Sequence, residues 1–179
     1  MSTGSLSIKN SERLRVGVLL ERRHIAHPWQ EHAWHAVGIV PGAPEIEAPL
    51  LVQQGPGWAR YHMATLDIEL FPGETEGYRY NLSQQRPMVY VLWRHADEDV
   101  RQEPAVFQVT VCPYEAQDYL DGGDVMVEGV PIPDLVAHWM RGYIARHHVD
   151  APFEKRRRKR HAPTNNQSGE PAIEEDEFG

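Results

Sequence analysis

Residues 88–93, MVYVLW, and residues 105–112, AVFQVTVC, decide the fold class. Both are dense in β-branched and aromatic side chains, which suit a buried, pleated surface. The polar ADEDVRQEP between them has little to bury, so the two segments read as antiparallel neighbours at the centre of a sheet. Moving towards the N-terminus, residues 58–71 (WARYHMATLDIELF) place Leu66, Ile68 and Leu70 on one face and Asp67 and Glu69 on the other. That alternation predicts a strand with one face in water. Residues 14–21 (LRVGVLLE) and 34–40 (WHAVGIV) complete the strong strands, with Gly17 marking a bulge or a close backbone approach. Pro41 and Gly42 stop the second by turn chemistry. Residues 41–57 hold too many prolines and glycines for regular structure, except for an apolar island at 50–52 suited to an edge strand.

The remaining elements follow from helical spacing. Residues 74–84 (ETEGYRYNLSQ) carry Thr75, Tyr78 and Leu82 three to four apart, enough for one or two helical turns. Residues 113–120 (PYEAQDYL) start with proline, continue with Glu115 in the first turn and end at Asp121-Gly122-Gly123, which predicts a two-turn helix. Residues 125–130 are short and extended. From about 133 to 147, Leu135, Val136, Trp139, Met140, Tyr143 and Ile144 form the apolar stripe of a helix docked on a sheet. Crossover helices are missing between the early strands, which disfavours a parallel sheet. The expected architecture is therefore α+β: a β-rich, curled or barrel-like antiparallel sheet of six to eight strands with the C-terminal amphipathic helix packed across it.

Charge is unevenly distributed along the 179 residues. The formal net charge is −8, and residues 1–149 hold 12 of the 18 Lys and Arg but 19 of the 26 Asp and Glu. Such an acidic body disfavours nucleic acid as a partner, since phosphate affinity comes mainly from basic side chains. Residues 155–160 (KRRRKR) and 173–178 (IEEDEF) form opposed blocks in a stretch with almost nothing to bury. The expected division is a flexible leader over 1–12, one globular domain over 13–149 and a disordered charged tail over 150–179. Cys112 is the single cysteine, so no intrachain disulfide forms, and a reducing compartment fits best. The N-terminus lacks a signal-peptide core and no apolar run reaches membrane-spanning length; cytoplasmic residence without membrane contact is expected.

Several clusters invite chemistry. His24, His27, His32 and His35, with Glu21 and Glu31 nearby, are good ligand types for transition metals, although their spacing matches no recognised motif. The blander reading is a loop pinned by Pro28, Trp29 and Trp34. Cys112 stands just before a predicted helix, where a thiol pKa can fall; with an apolar strand behind it and no fixed histidine partner, it reads as a small packed residue. Glu115, Asp118, Asp121, Asp124 and Glu128 read as a solvated face, because they lack calcium-loop spacing. Neither glycine pair, Gly55/Gly57 or Gly122/Gly123, has the context of a phosphate-cradling loop. Tyr78, Tyr80, Tyr114 and Tyr119 fall outside the strands, accompanied by Arg79, Gln117 and Asp118. Aromatics with an arginine are the composition of a protein-binding hot spot, so Tyr78, Arg79, Tyr114 and Tyr119 form the expected partner-binding patch; the alternative, which composition favours equally, is that these tyrosines pack the rim of the sheet with their hydroxyls in water. No catalytic residues, metal ligands or cofactor are assigned.

Seven segments together carry a family resemblance: VGVLLERR (16–23), HPWQEHAW (27–34), GIVPGAP (38–44), GWARYHMATLDIEL (57–70), TEGYRYNL (75–82), CPYEAQDYLDGGD (112–124) and ARHHVDAPFEKRRR (145–158). The chain resembles an uncharacterised bacterial family of unknown function, whose genes neighbour those of formate dehydrogenase and its accessory proteins. Some members carry the name molybdopterin-guanine dinucleotide biosynthesis protein. The resemblance implies a non-catalytic accessory or binding protein for a molybdenum- or tungsten-dependent oxidoreductase system, with a formate dehydrogenase subunit or maturation factor as partner. It supplies no catalytic residues, and the chain lacks the glycine-rich nucleotide loop of a nucleotidyltransferase. Two alternatives stay open: a small metal-binding protein or enzyme using the His24 to His35 loop, and a nucleic-acid adaptor using the basic tail.

Overall fold

Alternation in the first strand organises the molecule. In β1 (Glu12–His24), Val16, Val18 and Leu20 are fully buried on one face, while Arg13 and Arg15, on the opposite face at the start of the strand, are exposed. The structure, a computed structural model, describes residues 9–95 and 103–150. All but Asp150 belong to the unit Met1–Val149. The basic and acidic blocks of the tail lie outside the described residues, as does most of the leader.

Four strands form the first sheet in the order β2-β1-β4-β3, all antiparallel, with β2 at His32–Pro41, β3 at Leu50–Gly55 and β4 at Trp58–Leu70. The apolar island is an edge strand, as its composition suggested. Pro56 and Gly57 turn β3 into β4, and Gly57 has φ +74°, the conformation a type II turn demands at its third position. Ile68 and Leu70 face the core, whereas Asp67 and Glu69 pair across the ladder with Arg15 and Arg13. Register shifts interrupt both ladders of β1, between Val18 and Leu19 and between Leu19 and Leu20. Gly17 also permits a close approach: a Cβ there would stand 2.7 Å from the Ala43 Cβ and 2.8 Å from the His62 ring. The irregular connection after β2 therefore crosses the outer face of this sheet at Gly17.

The second sheet has three antiparallel strands in the order β6-β5-β7, with β5 at Met88–His95, β6 at Pro104–Thr110 and β7 at Met126–Pro131. Seven described strands fall within the expected number, but they form two sheets rather than one. The physical reason lies after β4, where the chain leaves for a 3-10 turn at Pro72–Glu74 and a helix, so β5 starts a new ladder. The curl survives because β4 runs near β6 and β2 near β7. There the Ala36 N–H of β2 donates to the Glu128 carboxylate of β7 at 3.1 Å, a side chain standing where a backbone carbonyl would close the barrel. Residues 105–112 do not share the sheet centre expected of them. Only β5 is central; β6 is an edge, because β7 takes the other side of β5.

All three expected helices form: α1 (Thr75–Ser83), α2 (Pro113–Gly122) and α3 (Asp134–His147). In α2 proline opens the first turn and Gly123, at φ +85°, ends the helix. The stripe of α3 is narrower than its sequence suggests. Val136, Met140 and Tyr143 are fully buried and Trp139 and Ile144 partly, but Leu135 is 57% exposed. At 100° per residue, Leu135 sits about a quarter turn from the centre of the buried face and at the helix start, beyond the reach of the core. Both sheets, α1 and α3 share one core, in which Tyr78 meets Tyr143 edge-on at 6.4 Å. The N-terminal end of β1 is tied to α3 through Glu12, which accepts from the Trp139 indole and pairs with Arg146. Among the described residues no helix is long and apolar enough to cross a membrane.

Candidate functional site

The absence of a side chain at Gly77 brings α1 and α2 together. A Cβ at that position would lie 2.9 Å from the Cys112 sulfur and 3.3 Å from the Tyr114 ring. The close approach sets Tyr80 of α1 and Tyr114 of α2 in a stack, with ring centroids 5.9 Å apart and planes 20° from parallel. Both rings remain about half in water, Tyr114 at 54% exposure. Two large aromatic faces held on separate helices by a glycine contact lose little freedom on meeting a partner.

An open cavity of about 330 Å3 lies beside this stack, lined by Glu74, Glu76, Glu115 and Asp118 together with Cys112 and Tyr114. Glu115 is anchored by the Thr110 hydroxyl, which donates at 2.6 Å, and by the Gln108 amide. Burial pushes the Glu74 carboxyl above its ordinary range, opposed by the Tyr78 hydroxyl and reinforced by the negative charge of Glu115. The Cys112 thiol is also pushed up by burial, and backbone N–H groups of α2 offset this only in part. It is a packed thiol at the floor of the site, as its sequence context indicated.

The structure divides the four residues of the expected patch. Tyr78 is 1% exposed and is a core residue: its oxygen accepts from the Phe71 N–H at 2.9 Å and donates to Glu74 at 3.1 Å. Tyr78 is therefore withdrawn from any docking surface. Arg79 points to the other flank of α1, where it meets the ring of His148 beyond α3, and Thr75 bonds the same ring. Tyr119 turns towards β6, stacking edge-on with Phe107 at 5.9 Å and donating to Gln108 at 2.9 Å. Tyr114 alone stays at the site, and Tyr80 joins it. Helix geometry explains the exchange, since residues two apart point about 200° from each other. Sequence reasoning also missed Asn81, whose side chain holds the site's scaffold. Its amide donates to the carbonyls of Met88 and Val111, both at 2.8 Å, and its oxygen accepts from the Met88 N–H at 3.0 Å. The available signal was a poor helix former in mid-helix, which calls for a side-chain bond elsewhere.

The histidine loop does not gather its four imidazoles. His24 and His32 are cross-strand partners, with rings 5.8 Å apart. His27 accepts from the Trp29 N–H, and His35 lies on the opposite face of β2, 3.5 Å from Glu128. Among the described residues no group of three or more His, Cys, Asp or Glu is placed to hold a metal ion. Glu21, 3% exposed, is committed to an ion-paired triad with Arg60 at 2.7 Å and Arg23. The Arg60 hydrogen bond, opposed by burial and helped by Arg23, holds its carboxyl below the usual range. A carboxyl depressed in the folded state stabilises above its unfolded pKa, and that contribution is lost as pH falls through the folded value. Glu21→Gln is accordingly expected to cost about 1–3 kcal/mol near neutrality. The cost should shrink as pH drops from about 5 into the acid range, which urea titrations at several pH values would reveal. A difference independent of pH would refute the ionic role of Glu21.

Fold and site together define a class: a two-sheet α+β domain that presents a rigid aromatic pair above an acid-lined groove. The chain belongs to the DUF3305 family of proteins of unknown function, whose model matches residues 15–157. No curated protein and no solved structure matches it.

Proposed function

We propose that this chain is a non-catalytic binding protein whose contact surface centres on the Tyr80–Tyr114 stack. The carrying observation is that stack: two half-exposed tyrosines, parallel to within 20°, fixed by the Gly77 contact. Preorganised aromatics in this setting make hot spots, because burying them costs little side-chain entropy. Carboxylates of Glu76 and Asp118 beside Tyr114 favour a partner segment bearing lysine or arginine near an apolar side chain. On the family resemblance we take that partner to be a subunit or maturation factor of a molybdenum- or tungsten-dependent oxidoreductase, formate dehydrogenase first.

Purification of the full-length protein from its host should bring down such a subunit or factor. Tyr114→Ala is expected to weaken the association by about 1–3 kcal/mol with little change in thermal midpoint, since more than half of the residue is in water. Tyr119→Ala, on the β6 side of α2, should leave it intact. Retention of the partner at wild-type affinity by a folded Tyr80→Ala/Tyr114→Ala double variant would end this reading.

A further inference from the structure

The inner face of the first sheet does not stay apolar to its end. Along β1 the side chains on that face run Val16, Val18, Leu20, then Arg22 and His24, so the buried surface opens into a polar mouth that carries the Arg22 guanidinium. Arg22 is half-buried there. Its guanidinium lies 5.9 Å from the Trp34 ring centroid and 5.5 Å from that of Tyr61, and it has no carboxylate partner among the described residues. Arg60, also half-buried, contrasts with it by pairing with Glu21. A half-buried guanidinium held by ring faces and paired with no carboxylate among the described residues is free to take an anion from solution.

Two adjoining cavities share Arg22 and His32. The smaller, about 210 Å3, lies between the β1–β2 hairpin and the β3–β4 turn; it is bordered by His24, Gln54 and Trp58 and by no carboxylate. The larger, about 470 Å3, lies under the hairpin tip and is bordered by Pro28, Trp29 and Trp34, with Glu31 and Glu103 also on its wall. Trp29 is 75% exposed, a large apolar surface left in water at the lip of a cavity. Charge and shape therefore divide the mouth into an anion end and a ring end.

We infer that this mouth binds a small molecule in which a flat aromatic ring carries a carboxylate or a phosphate. The anion enters the smaller cavity against Arg22, with ring N–H groups of His24 and His32 as further donors, and Glu31 and Glu103 keep it out of the larger one. The ring lies in the larger cavity and stacks on Trp29. Mouths of curled sheets are common ligand sites because converging strands supply both wall and polar groups. This surface is separate from the tyrosine stack, so it stands or falls independently of the protein partner.

Isothermal calorimetry on the full-length protein tests the inference with four probes: 1-naphthyl phosphate, 2-naphthoate, inorganic phosphate and 2-naphthol. Saturable one-to-one binding of at least one of the first two is expected, with the last two at least tenfold weaker; which of the first two binds better distinguishes phosphate from carboxylate. Arg22→Gln should weaken binding tenfold or more. Trp29→Ala, at an exposed position that cannot unfold the protein, should weaken it severalfold. Tyr114→Ala should bind as wild type. Absence of saturation by both ring-bearing anions at millimolar concentration overturns the proposal. So does equal binding of inorganic phosphate, or wild-type affinity in Trp29→Ala.

Discussion

Asn81→Ala is expected to destabilise the protein by about 3–5 kcal/mol, because each buried polar group left unpaired costs about 1–3 kcal/mol. The substitution strands three backbone groups: the Met88 N–H, the Met88 carbonyl and the Val111 carbonyl. Asn81 is itself almost wholly buried, so water cannot readily replace the amide. These three groups sit where β5 begins and where β6 has run out towards α2. One side chain of α1 thus performs the backbone pairing that the second sheet lacks at that end. Asn81→Asp tests the assignment further, since a carboxylate supplies the acceptor for Met88 N–H but no donor for the two carbonyls. It should be at least as damaging as alanine at neutral pH and recover partly in acid, where a protonated carboxyl can donate once. Urea denaturation at pH 7 and pH 4 gives the comparison, and an alanine cost below 1 kcal/mol would remove Asn81 from the scaffold.

Met140→Ala and Leu135→Ala, from the same apolar stripe, should differ sharply. Met140 is fully buried between Val136 and Tyr143 in the shared core, and its truncation is expected to cost about 2–5 kcal/mol through lost burial and the cavity left behind. Leu135 is more than half exposed, and its truncation should cost no more than about 0.5 kcal/mol, the scale of ordinary surface substitutions. Thermal midpoints of the two variants measure this directly. Equal effects would mean that α3 is rotated from the orientation described, with Leu135 turned inward.

Much of the fold was legible along the chain because strand and helix leave periodic marks. The 2-residue alternation of β4, the β-branched and aromatic residues of β5 and the Pro-to-Gly frame of α2 are local properties that neighbours cannot easily reverse. Gly17 was legible for the same reason: a glycine inside a strand pattern implies a backbone neighbour, and the connection at Ala43 supplies it. Strand partners were less legible. Whether seven strands make one sheet or two depends on which edges meet after the chain has turned through α1, and composition carries no record of that choice.

The candidate site shows the limit most clearly. Four of the five tyrosines outside the strands, Tyr78, Tyr80, Tyr114 and Tyr119, lie on the two short helices, and their residue type alone proposes a binding surface; sequence determined that much, together with the acidic character of the chain and the histidine and tryptophan content of the first hairpin loop. Only tertiary structure decided that Tyr78 is a core residue, that Tyr119 belongs to the β6 face and that Tyr80 stacks on Tyr114. A helix of nine residues in contact with a core on one side and another helix on the next turns neighbouring side chains to different fates. The pairing across Gly77 joins residues 34 positions apart, from Tyr80 to Tyr114, through a contact that exists only because a Cβ is missing. Burial and proximity are properties of the packed chain, and local periodicity contains them only where a single element meets a single neighbour.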